Sequence, residues 1–362
     1  MSDTRILVVL GTRPEIIKLA PVVDGCLERG VDVRVVHTGQ HYSPSLDTVF
    51  FDQLDLPPPT HQLGVGSTSH GEQTAAILRS VERIVVEGSP DHVLVQGDTN
   101  SALAGALAAA KLDASLGHVE AGLRSFDDRM PEETNRVLID HVSDLLFAPT
   151  PIARSMLRRE GIDDDRIVVT GNTVVDALVR YGERAARRSQ VLSELSLSPG
   201  EYVLLTVHRA ENVDSRERFE RILTGVSRFA RAVDRPVVYP VHPRARERLD
   251  RFEISLPEPI EATEPREFFD FLTLEREAAV VFTDSGGVQE ETCVLGVPCV
   301  TVRETTERPE TVDVGSNRVI GIDPEDVERA GHEMLGRSGE WENPFGDGDA
   351  ATRILEAIGV GP

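Results

Sequence analysis

The feature that most constrains this chain is a regular alternation of short apolar runs with longer helical patterns. Several of the apolar runs are continuous in Val, Ile and Leu, which is typical of strands that are buried on both faces. Strands that alternate with helices favour parallel, doubly wound sheets joined by right-handed crossovers. The pattern therefore predicts an α/β fold.

The predicted strands form two series. The first series is Arg5–Leu10, Asp32–Thr38, His92–Gln96, Leu116–Val119, Leu145–Ala148 and Ile167–Thr170. The second series is Tyr202–Val207, Val237–Val241, Val280–Thr283, Cys299–Val302 and Arg318–Ile320. The predicted helices include Pro14–Arg29, Ser69–Glu87, Ser101–Leu112, Glu132–Ser143, Ser215–Ala232 and a last one at Ala350–Ile358. A charged helical stretch lies between the two series, so we expect two domains with a boundary near residue 175.

Charge and composition exclude several classes of protein. The chain has 61 acidic and 38 basic residues, a net charge of −23, whereas nucleic acids and anionic membranes require a basic surface. No apolar run is long enough to span a bilayer, and the N-terminus lacks the basic region and cleavage site of a signal peptide. Cys26, Cys293 and Cys299 have no CxxC spacing, which argues against a disulfide framework or a zinc site. We therefore expect a soluble cytoplasmic enzyme without nucleic-acid or membrane partners.

The type of charge is also informative. Only two lysines occur, Lys18 and Lys111, so nearly all positive charge comes from arginine. A GC-rich genome is one interpretation of this usage. A cytoplasm of high salt concentration is the other, because salt screens the repulsion within a dense carboxylate surface that remains soluble. We favour the second interpretation.

Polar side chains follow six of the predicted strands, three in each series. The segments are Gly11-Thr12-Arg13-Pro14-Glu15, Gly97-Asp98-Thr99-Asn100, His118-Val119-Glu120, His208-Arg209, His242 and Asp284-Ser285-Gly286-Gly287. Open parallel sheets bind ligands beyond the carboxyl ends of their strands. Polar groups at so many strand ends predict a cleft between the two domains, lined by carboxylates, imidazoles and cations.

Some of these residues suit a nucleotide diphosphate. Ser285, Gly286 and Gly287 would expose backbone N–H groups at a helix N-terminus, an arrangement that binds phosphate. Glu291 could accept hydrogen bonds from a ribose diol. The candidate cations for the diphosphate are Arg13, Lys18 and Arg308. Each feature also has a plainer interpretation: an N-cap, a carboxylate near a helix start, a solvated lysine or an ion-paired loop.

Other residues suit proton transfer. Asp98, Glu120 and Glu132 are candidate acid or base groups, and the first two leave neighbouring predicted strands. His208 and His242 follow strands of the second series. A single histidine at a strand end is more often structural, but two histidines together with three carboxylates favour a catalytic interpretation.

Seven motifs in order resemble the non-hydrolysing UDP-N-acetylglucosamine 2-epimerases. They are Gly11-Thr12-Arg13-Pro14-Glu15, Gly97-Asp98-Thr99, His118-Val119-Glu120-Ala121-Gly122-Leu123-Arg124, Pro131-Glu132-Glu133, Gly171-Asn172-Thr173, Asp284-Ser285-Gly286-Gly287-Val288-Gln289-Glu290-Glu291 and Thr306-Glu307-Arg308-Pro309-Glu310. The resemblance implies a GT-B-like fold of two Rossmann-like doubly wound parallel-sheet domains with the active site in the cleft between them. The first domain would be 1–175, rejoined by the C-terminal helix at about 348–362, and the UDP-binding domain would be 176–347. It also implies a homodimer, a UDP-sugar substrate, no metal and no nicotinamide cofactor.

The resemblance also assigns site residues. The matching catalytic positions are Asp98, Glu120, Glu132 and His208. The matching substrate-binding positions are Arg13, Lys18, His242, Ser285, Gly286, Gly287, Glu291 and Arg308, with Arg266 and Phe271 near the uracil. The implied reaction interconverts UDP-N-acetylglucosamine and UDP-N-acetylmannosamine at C2, by elimination of UDP to 2-acetamidoglucal and its re-addition.

The chain departs from the bacterial pattern at two places. It has His208-Arg209-Ala210-Glu211 where many bacterial members have His-Arg-Arg-Glu, and Tyr42-Ser43-Pro44-Ser45 differs from the bacterial segment near which some members bind an activating UDP-sugar. Four alternatives stay open. They are a GT-B glycosyltransferase, a 2-epimerase of a related UDP-diacetamido-uronic acid, a hydrolysing epimerase and a non-catalytic UDP-sugar sensor.

Overall fold

The computed structural model of the chain describes residues 4–40, 50–337 and 339–361. Contacts divide the chain into two compact units, Met1–Arg180 with Phe345–Pro362, and Tyr181–Pro344. Each unit is built on one sheet whose strand pairs are all parallel. The prediction of two doubly wound parallel-sheet domains is thereby confirmed.

The sheet of the first unit has the strand order β3-β2-β1-β4-β5-β6-β7. Its strands are β1 (Arg5–Leu10), β2 (Asp32–His37), β3 (His61–Gln62), β4 (His92–Gln96), β5 (Ser115–Val119), β6 (Leu145–Ala148) and β7 (Ile167–Val169). The strand order changes direction at β1, which pairs with both β2 and β4. Such a switch point is where open α/β sheets place their ligands.

Helices connect these strands. They are α1 (Arg13–Glu28), α2 (His70–Gly88), α3 (Asn100–Ala109), α4 (Pro131–Val142), α5 (Pro151–Arg159) and α6 (Thr173–Arg188). Helix α3 is rich in alanine and buried along nearly its whole length. A Cβ added at Gly105 would lie 3.0 Å from Val9 Cγ1, so the small residues of α3 let it pack directly on β1. This close packing positions the N-terminus of α3 beside the turn that follows β1.

The sheet of the second unit has the order β10-β9-β8-β11-β12-β13. Its strands are β8 (Val203–Thr206), β9 (Val237–Pro240), β10 (Ile260–Thr263), β11 (Val280–Thr283), β12 (Cys299–Thr301) and β13 (Asn317–Val319). Its helices are α7 (Val191–Glu194), α8 (Ala210–Val213), α9 (Arg216–Ala232), α10 (Pro243–Arg251), α11 (Phe268–Arg276), α12 (Gly286–Leu295), α13 (Pro309–Asp313) and α14 (Pro324–Met334). The strands supply a buried core of Val, Leu and Phe that is covered by the apolar side of α9 and α14.

The last helix, α15 (Ala350–Ala357), belongs to the first unit. The backbone N–H groups of Ala350 and Ala351 donate to the carboxylate of Asp176, at 3.2 and 2.8 Å. Asp176 thus satisfies N–H groups at the start of α15 that have no partner within the helix. The division between the units falls inside α6, between Arg180 and Tyr181.

Two strands, β3 and β10, were not predicted. Both lie at the edge of a sheet. Strand β3 has only two residues, and two of the four residues of β10 are exposed. Edge strands are paired on one side only and need little apolar surface, so they leave no apolar run in the sequence. In the described part of the chain, no helix combines the length and apolarity that a membrane crossing requires.

Candidate active site

The turn after β1 approaches the start of α3 very closely. A Cβ added at Gly11 would lie 2.1 Å from both Thr38 Oγ1 and Ser101 Oγ. Those two hydroxyl oxygens are themselves 2.7 Å apart and share a hydrogen bond. The two hydroxyl groups lie against the backbone of Gly11 and leave no room for a side chain there, which explains the glycine at this position.

Glu15 connects two of the strand-end turns. Its Oε2 accepts from Gly11 N at 3.0 Å and from Thr12 Oγ1 at 2.7 Å, and its Oε1 accepts from Thr99 Oγ1 at 2.8 Å. Thr99 in turn caps α3, where its Oγ1 accepts from Ala102 N. Burial raises the pKa of Glu15 to about 7, although the hydrogen bonds it accepts oppose this rise. Glu15 therefore holds the turn after β1 against the turn after β4.

A buried ion pair lies at the ends of β4 and β5. Lys18 of α1 contacts Glu120 Oε2, and both side chains are less than a tenth exposed. Gln96 Nε2 also donates to Glu120 Oε2, at 2.9 Å. Glu120 has φ +72°, a left-handed conformation that is costly for a residue with a side chain. The surrounding contacts hold Glu120 in this strained backbone conformation, at a position where the sequence predicts an acid or base.

Asp98 is held by a second buried cation. The guanidinium of Arg136 in α4 contacts Asp98 Oδ2, and its Nη1 donates to Glu133 Oε2 at 2.9 Å. Asn135 Nδ2 donates to the backbone oxygen of Asp98 at 2.8 Å. The Asp98 side chain remains 30% exposed, so it is fixed in place yet accessible. Glu132 is half-buried in the first turn of α4, next to Glu133.

A network centred on the fully buried pair His118 and Asp140 supports the turn after β4. His118 Nε2 donates to the backbone oxygen of Gly97 at 2.9 Å, and its Nδ1 lies 2.7 Å from Asp140 Oδ1. Asp140 also contacts Arg124, which donates to Glu160. Burial acts to raise the pKa of Asp140, but His118 and Arg124 outweigh it and keep that pKa below its usual range. Because Gly97 precedes Asp98, the network fixes the turn that carries Asp98.

Arg13 is the first residue of α1. Its guanidinium carbon lies 5.1 Å from the centroid of the Phe50 ring, a cation–π contact. The side chain is partly exposed. Arg13 is therefore oriented by an aromatic face and keeps donors that an anion could use.

One carboxylate, Asp284, organises the strand ends of the second unit. It is fully buried after β11 and accepts from the backbone N–H groups of His208 and Arg209 at 2.9 to 3.1 Å. Asn212 Nδ2 donates to the same carboxylate at 3.1 Å. These bonds fix the backbone of the turn after β8, and so they fix where the His208 side chain begins.

The two histidines predicted from the sequence lie together. The ring centroids of His208 and His242 are 5.1 Å apart, with an interplanar angle of 31°. His242 Nδ1 accepts from Arg244 N at 3.2 Å, which leaves Nε2 as its donor when the ring is neutral. Burial lowers the pKa of His208, and Arg209 and Arg244 lower it further, although Asp284 acts in the opposite direction. This lowered pKa keeps His208 neutral near pH 7, the form that a general base requires.

Helix α12 begins with the predicted Ser-Gly-Gly segment. Ser285 is its N-cap residue but makes no side-chain cap, and its own N–H donates to Thr283 Oγ1 at 2.9 Å. A Cβ added at Gly286 would lie 2.3 Å from Glu307 Oε1, whereas one added at Gly287 would have its closest contact at 3.9 Å. Gly286 is required by packing, and the uncapped turn is open to an anion.

Arg308 is more confined than a free phosphate-binding cation would be. Its Nε contacts the carboxylate of Glu290, and both side chains are nearly or fully buried. Its Nη1 donates to the backbone oxygen of Glu307 at 3.3 Å. The structure therefore places Arg308 in an ion-paired loop beside α12.

The remaining predicted residues lie on or near α11 and α12. Arg266 precedes α11 and lies 3.4 Å from Glu194. Phe271 packs partly against the core formed by β8, β9 and β11. Glu291 lies half-buried in α12. Among residues 4–40, 50–337 and 339–361, no three His, Cys, Asp or Glu side chains are grouped as metal ligands.

The fold and the two sets of residues define a class. The fold is GT-B-like, with acid and base groups at the strand ends of one sheet and an uncapped helix with imidazoles at the strand ends of the other. Backbone donors at a helix N-terminus suit a phosphate, and fixed carboxylates suit proton transfer. Such a protein is an α/β enzyme equipped for an anionic substrate.

Comparison with known proteins specifies the family. The family model described as UDP-N-acetylglucosamine 2-epimerase matches residues 26–359. A UDP-N-acetylglucosamine 2-epimerase of Methanocaldococcus jannaschii is 46% identical over 99% of both chains. A UDP-2,3-diacetamido-2,3-dideoxy-D-glucuronate 2-epimerase of Pseudomonas aeruginosa is 38% identical over 98% of this chain and 99% of that protein. The chain belongs to the UDP-N-acetylglucosamine 2-epimerase family.

Structural comparison gives the same result. The crystal structure of Methanocaldococcus jannaschii UDP-GlcNAc 2-epimerase in complex with UDP-GlcNAc and UDP matches with a TM-score of 0.93. The match covers 99% of this chain and 100% of the other, at 46% identity. The family resemblance inferred from the seven motifs is confirmed.

The residues that sequence reasoning missed are those that hold the predicted ones. Glu15 and Glu133 belong to motifs of the sequence analysis, and Arg136 and Asp140 lie in its predicted helix Glu132–Ser143, but none of the four was predicted to hold an acid or base candidate in place. Their charges are buried and therefore need partners, but this burial is a property of the folded chain and leaves no local signal in the sequence. The predicted difference at Tyr42-Ser43-Pro44-Ser45 lies outside the described residues.

Proposed function

We propose that the chain interconverts UDP-N-acetylglucosamine and UDP-N-acetylmannosamine by inverting C2 of the sugar. The observation that carries this proposal is the pairing of Asp98 and Glu120 with the buried cations Arg136 and Lys18. The relative from Methanocaldococcus jannaschii, at 46% identity over 99% of the chain, supports the substrate. Proton transfer at a weakly acidic carbon requires positioned acid and base groups, and nearby cations can stabilise the charge that develops on the leaving group.

We assign proton transfer at C2 to Asp98, Glu120, Glu132 and His208. A base removes the C2 proton, the electron pair of that bond forms a C1–C2 double bond, and UDP leaves with the pair of the C1–oxygen bond. The product of this step is 2-acetamidoglucal. A proton is then delivered to the opposite face of C2, and UDP adds back to C1. Elimination avoids a free carbanion at C2, because the leaving group takes up the developing charge.

We assign UDP binding to residues of the second unit together with two cations of the first. The start of α12 at Ser285, Gly286 and Gly287 suits the diphosphate. The set that completes the binding site is Arg13, Lys18, His242, Arg266, Phe271, Glu291 and Arg308. Because Lys18 and Arg308 are each paired with a carboxylate, we expect them to act on the diphosphate as part of these pairs.

The experiment is incubation of the purified chain with UDP-N-acetylglucosamine alone, followed by NMR of the products. The proposed function predicts UDP-N-acetylmannosamine in equilibrium with the starting sugar, without any acceptor. Release of free N-acetylmannosamine and UDP would identify a hydrolysing epimerase. Turnover only when a sugar acceptor is added would identify a glycosyltransferase, and binding without turnover would identify a sensor. Any of these three results would contradict the proposal.

A related UDP-sugar is the second candidate substrate. The observation that favours it is the 38% identity to the Pseudomonas aeruginosa UDP-2,3-diacetamido-2,3-dideoxy-D-glucuronate 2-epimerase. This sugar differs at C3 and C6 but carries the same acetamido group on C2, the carbon that is inverted. Parallel assays with both sugars decide between them, because the true substrate should have the higher kcat/KM.

Three further properties belong to the proposal. We propose that the protein is a homodimer, which the family resemblance supports. Light scattering of the protein as it elutes from a size-exclusion column measures its molar mass and tests this proposal. We propose a cytoplasmic location, supported by three buried cysteines that are all free thiols. We also propose adaptation to high salt, supported by the net charge of −23.

A further inference from the structure

One buried carboxyl has no task in the chemistry above. Glu275 in α11 is only 1% exposed. Among the described residues, no N–H or O–H donor contacts its Oε1. Its side chain is instead hydrogen-bonded to the carboxyl of Glu291 in α12. A buried carboxyl oxygen without a donor is costly, so the presence of Glu275 requires an explanation.

Two carboxyl groups in hydrogen-bond contact must share a proton, because carboxylate oxygens can only accept. Glu291 is partly exposed to water and is the better site for the negative charge. Burial raises the pKa of Glu275 well above its usual range, and the charge of Glu291 raises it further. Glu275 therefore carries the proton and donates to Glu291.

We propose that Glu275 is a positioning residue for the ribose of the nucleotide and acts through Glu291. This inference rests on the proposed function, in which Glu291 accepts hydrogen bonds from the ribose diol. The O–H of Glu275 donates to one carboxylate oxygen of Glu291. This hydrogen bond restricts the rotation of the Glu291 carboxylate. The remaining lone pairs of Glu291 are then directed before the ligand arrives, which lowers the entropic cost of binding.

Stability does not account for an acid at this position. A buried polar contact between two side chains is seldom more stabilising than a well-packed apolar side chain of similar volume. Methionine is unbranched, similar in length to glutamate and adaptable in a core. A Glu275→Met variant should fold with a melting temperature equal to or above that of the parent, while Glu291 loses its donor.

The test compares the binding of UDP with that of 2′,3′-dideoxy-UDP by calorimetry. The ratio of the two Kd values defines the ribose preference of each variant. Glu275→Met should lower this preference about tenfold, the effect of roughly 1.4 kcal/mol. Glu275→Gln should retain most of it, because the amide N–H can donate in place of the acid. Glu277→Gln, the same substitution two residues further along the chain, is the matched control and should leave the ribose preference unchanged.

An unchanged ribose preference in Glu275→Met would overturn the inference. An unchanged preference in Glu291→Gln would also overturn it, since Glu291 would then not bind the ribose. Epimerisation of UDP-N-acetylglucosamine by the parent chain tests the proposed function separately from both results. If Glu275→Met does not fold, an infrared difference spectrum between the parent and Glu275→Gln at neutral pH tests whether the Glu275 carboxyl is protonated. A protonated-carboxyl band confined to the parent supports the inference, and its absence contradicts it.

Discussion

The strand ends of the two units are built from different chemistry. In the first unit, buried cations contact carboxylates in three places: Lys18 with Glu120, Arg136 with Asp98, and Arg124 with Asp140. At the strand ends of the second unit, Asp284 accepts from backbone N–H groups, two imidazoles lie together and α12 starts without a side-chain cap. The strand-end carboxylates of the first unit are paired with buried cations. The strand-end carboxylate of the second unit is bound by backbone N–H groups, and a buried ion pair, Arg308 with Glu290, lies beside α12.

This difference indicates a division of labour. Fixed carboxylates beside cations are prepared for proton transfer and for charge that develops in a transition state. Backbone donors at a helix start bind a phosphate without introducing another charge. Substitutions of the first-unit carboxylates Asp98, Glu120 and Glu132 should therefore act mainly on kcat, and those at the start of α12 mainly on nucleotide affinity.

The largest expected effect comes from Asp98→Asn. The substitution keeps the shape of the side chain but removes the carboxylate that Arg136 holds, so kcat should fall about a thousandfold or more. UDP affinity should change little, because the diphosphate is assigned to α12. Steady-state kinetics and UDP titration measure the two quantities, with the exposed Asp32→Asn as the control. Normal turnover in Asp98→Asn would show that its assigned role is wrong.

Glu15→Gln should change how stability depends on pH. The pKa of Glu15 is about 7 in the folded chain and 4.5 in the reference state, so the folded state holds the proton more tightly. Its contribution is fully present below about pH 4.5 and is lost as pH rises through about 7, a change of about 3 kcal/mol. Urea unfolding between pH 5 and 7.5 measures this loss. The parent should lose more stability over that range than Glu15→Gln, and parallel curves would contradict the assignment.

Gly286→Ala should weaken nucleotide binding about tenfold or more. The new Cβ would collide with the carboxylate of Glu307, so either this carboxylate must leave its pairs with Arg209 and Arg303 or the first turn of α12 must move. Gly287→Ala places its Cβ 3.9 Å from Ser285 Oγ, an ordinary van der Waals contact, and should cost less affinity. UDP titration of both variants gives the comparison. Equal losses would mean that the rigid start of α12 is not what holds the nucleotide.

An increase in salt concentration should have the smallest effect of these changes. It should act on the charge of the whole protein and not on one site. Screening of the −23 net charge should raise the melting temperature as KCl increases from millimolar to molar concentrations. Buried pairs such as Lys18 with Glu120 are screened much less, so kcat should respond less than stability does. Thermal unfolding across a KCl series measures the effect, and a constant melting temperature would refute the adaptation to high salt.

The sequence predicted most of the fold because both sheets are buried on both faces. Continuous apolar runs such as those in Arg5–Leu10 and Val280–Thr283 are typical of strands that are buried on both faces. The helices that alternate with the strands predict the parallel topology. Strand β3 could not be predicted in the same way, since two residues at an edge carry no apolar pattern.

The candidate site was predictable as a set of residue types but not as a set of contacts. Spacing after strands pointed to Asp98, Glu120 and Lys18. That Lys18 would pair with Glu120, 102 positions further along the chain, depends on how α1 and β5 pack in three dimensions. The same holds for Arg136 and Asp98, which are 38 positions apart. Long-range pairs of this kind leave no local signal in a single sequence.

The most direct measurement is the reaction of UDP-N-acetylglucosamine in D2O, followed by NMR at C2. Removal of a proton on one face and delivery on the other by exchangeable groups should place deuterium at C2 of the product. UDP and 2-acetamidoglucal should accumulate slowly, because the neutral intermediate is no longer bonded to its phosphate. Complete retention of protium at C2, with no glucal released, would contradict elimination and re-addition by the residues assigned here.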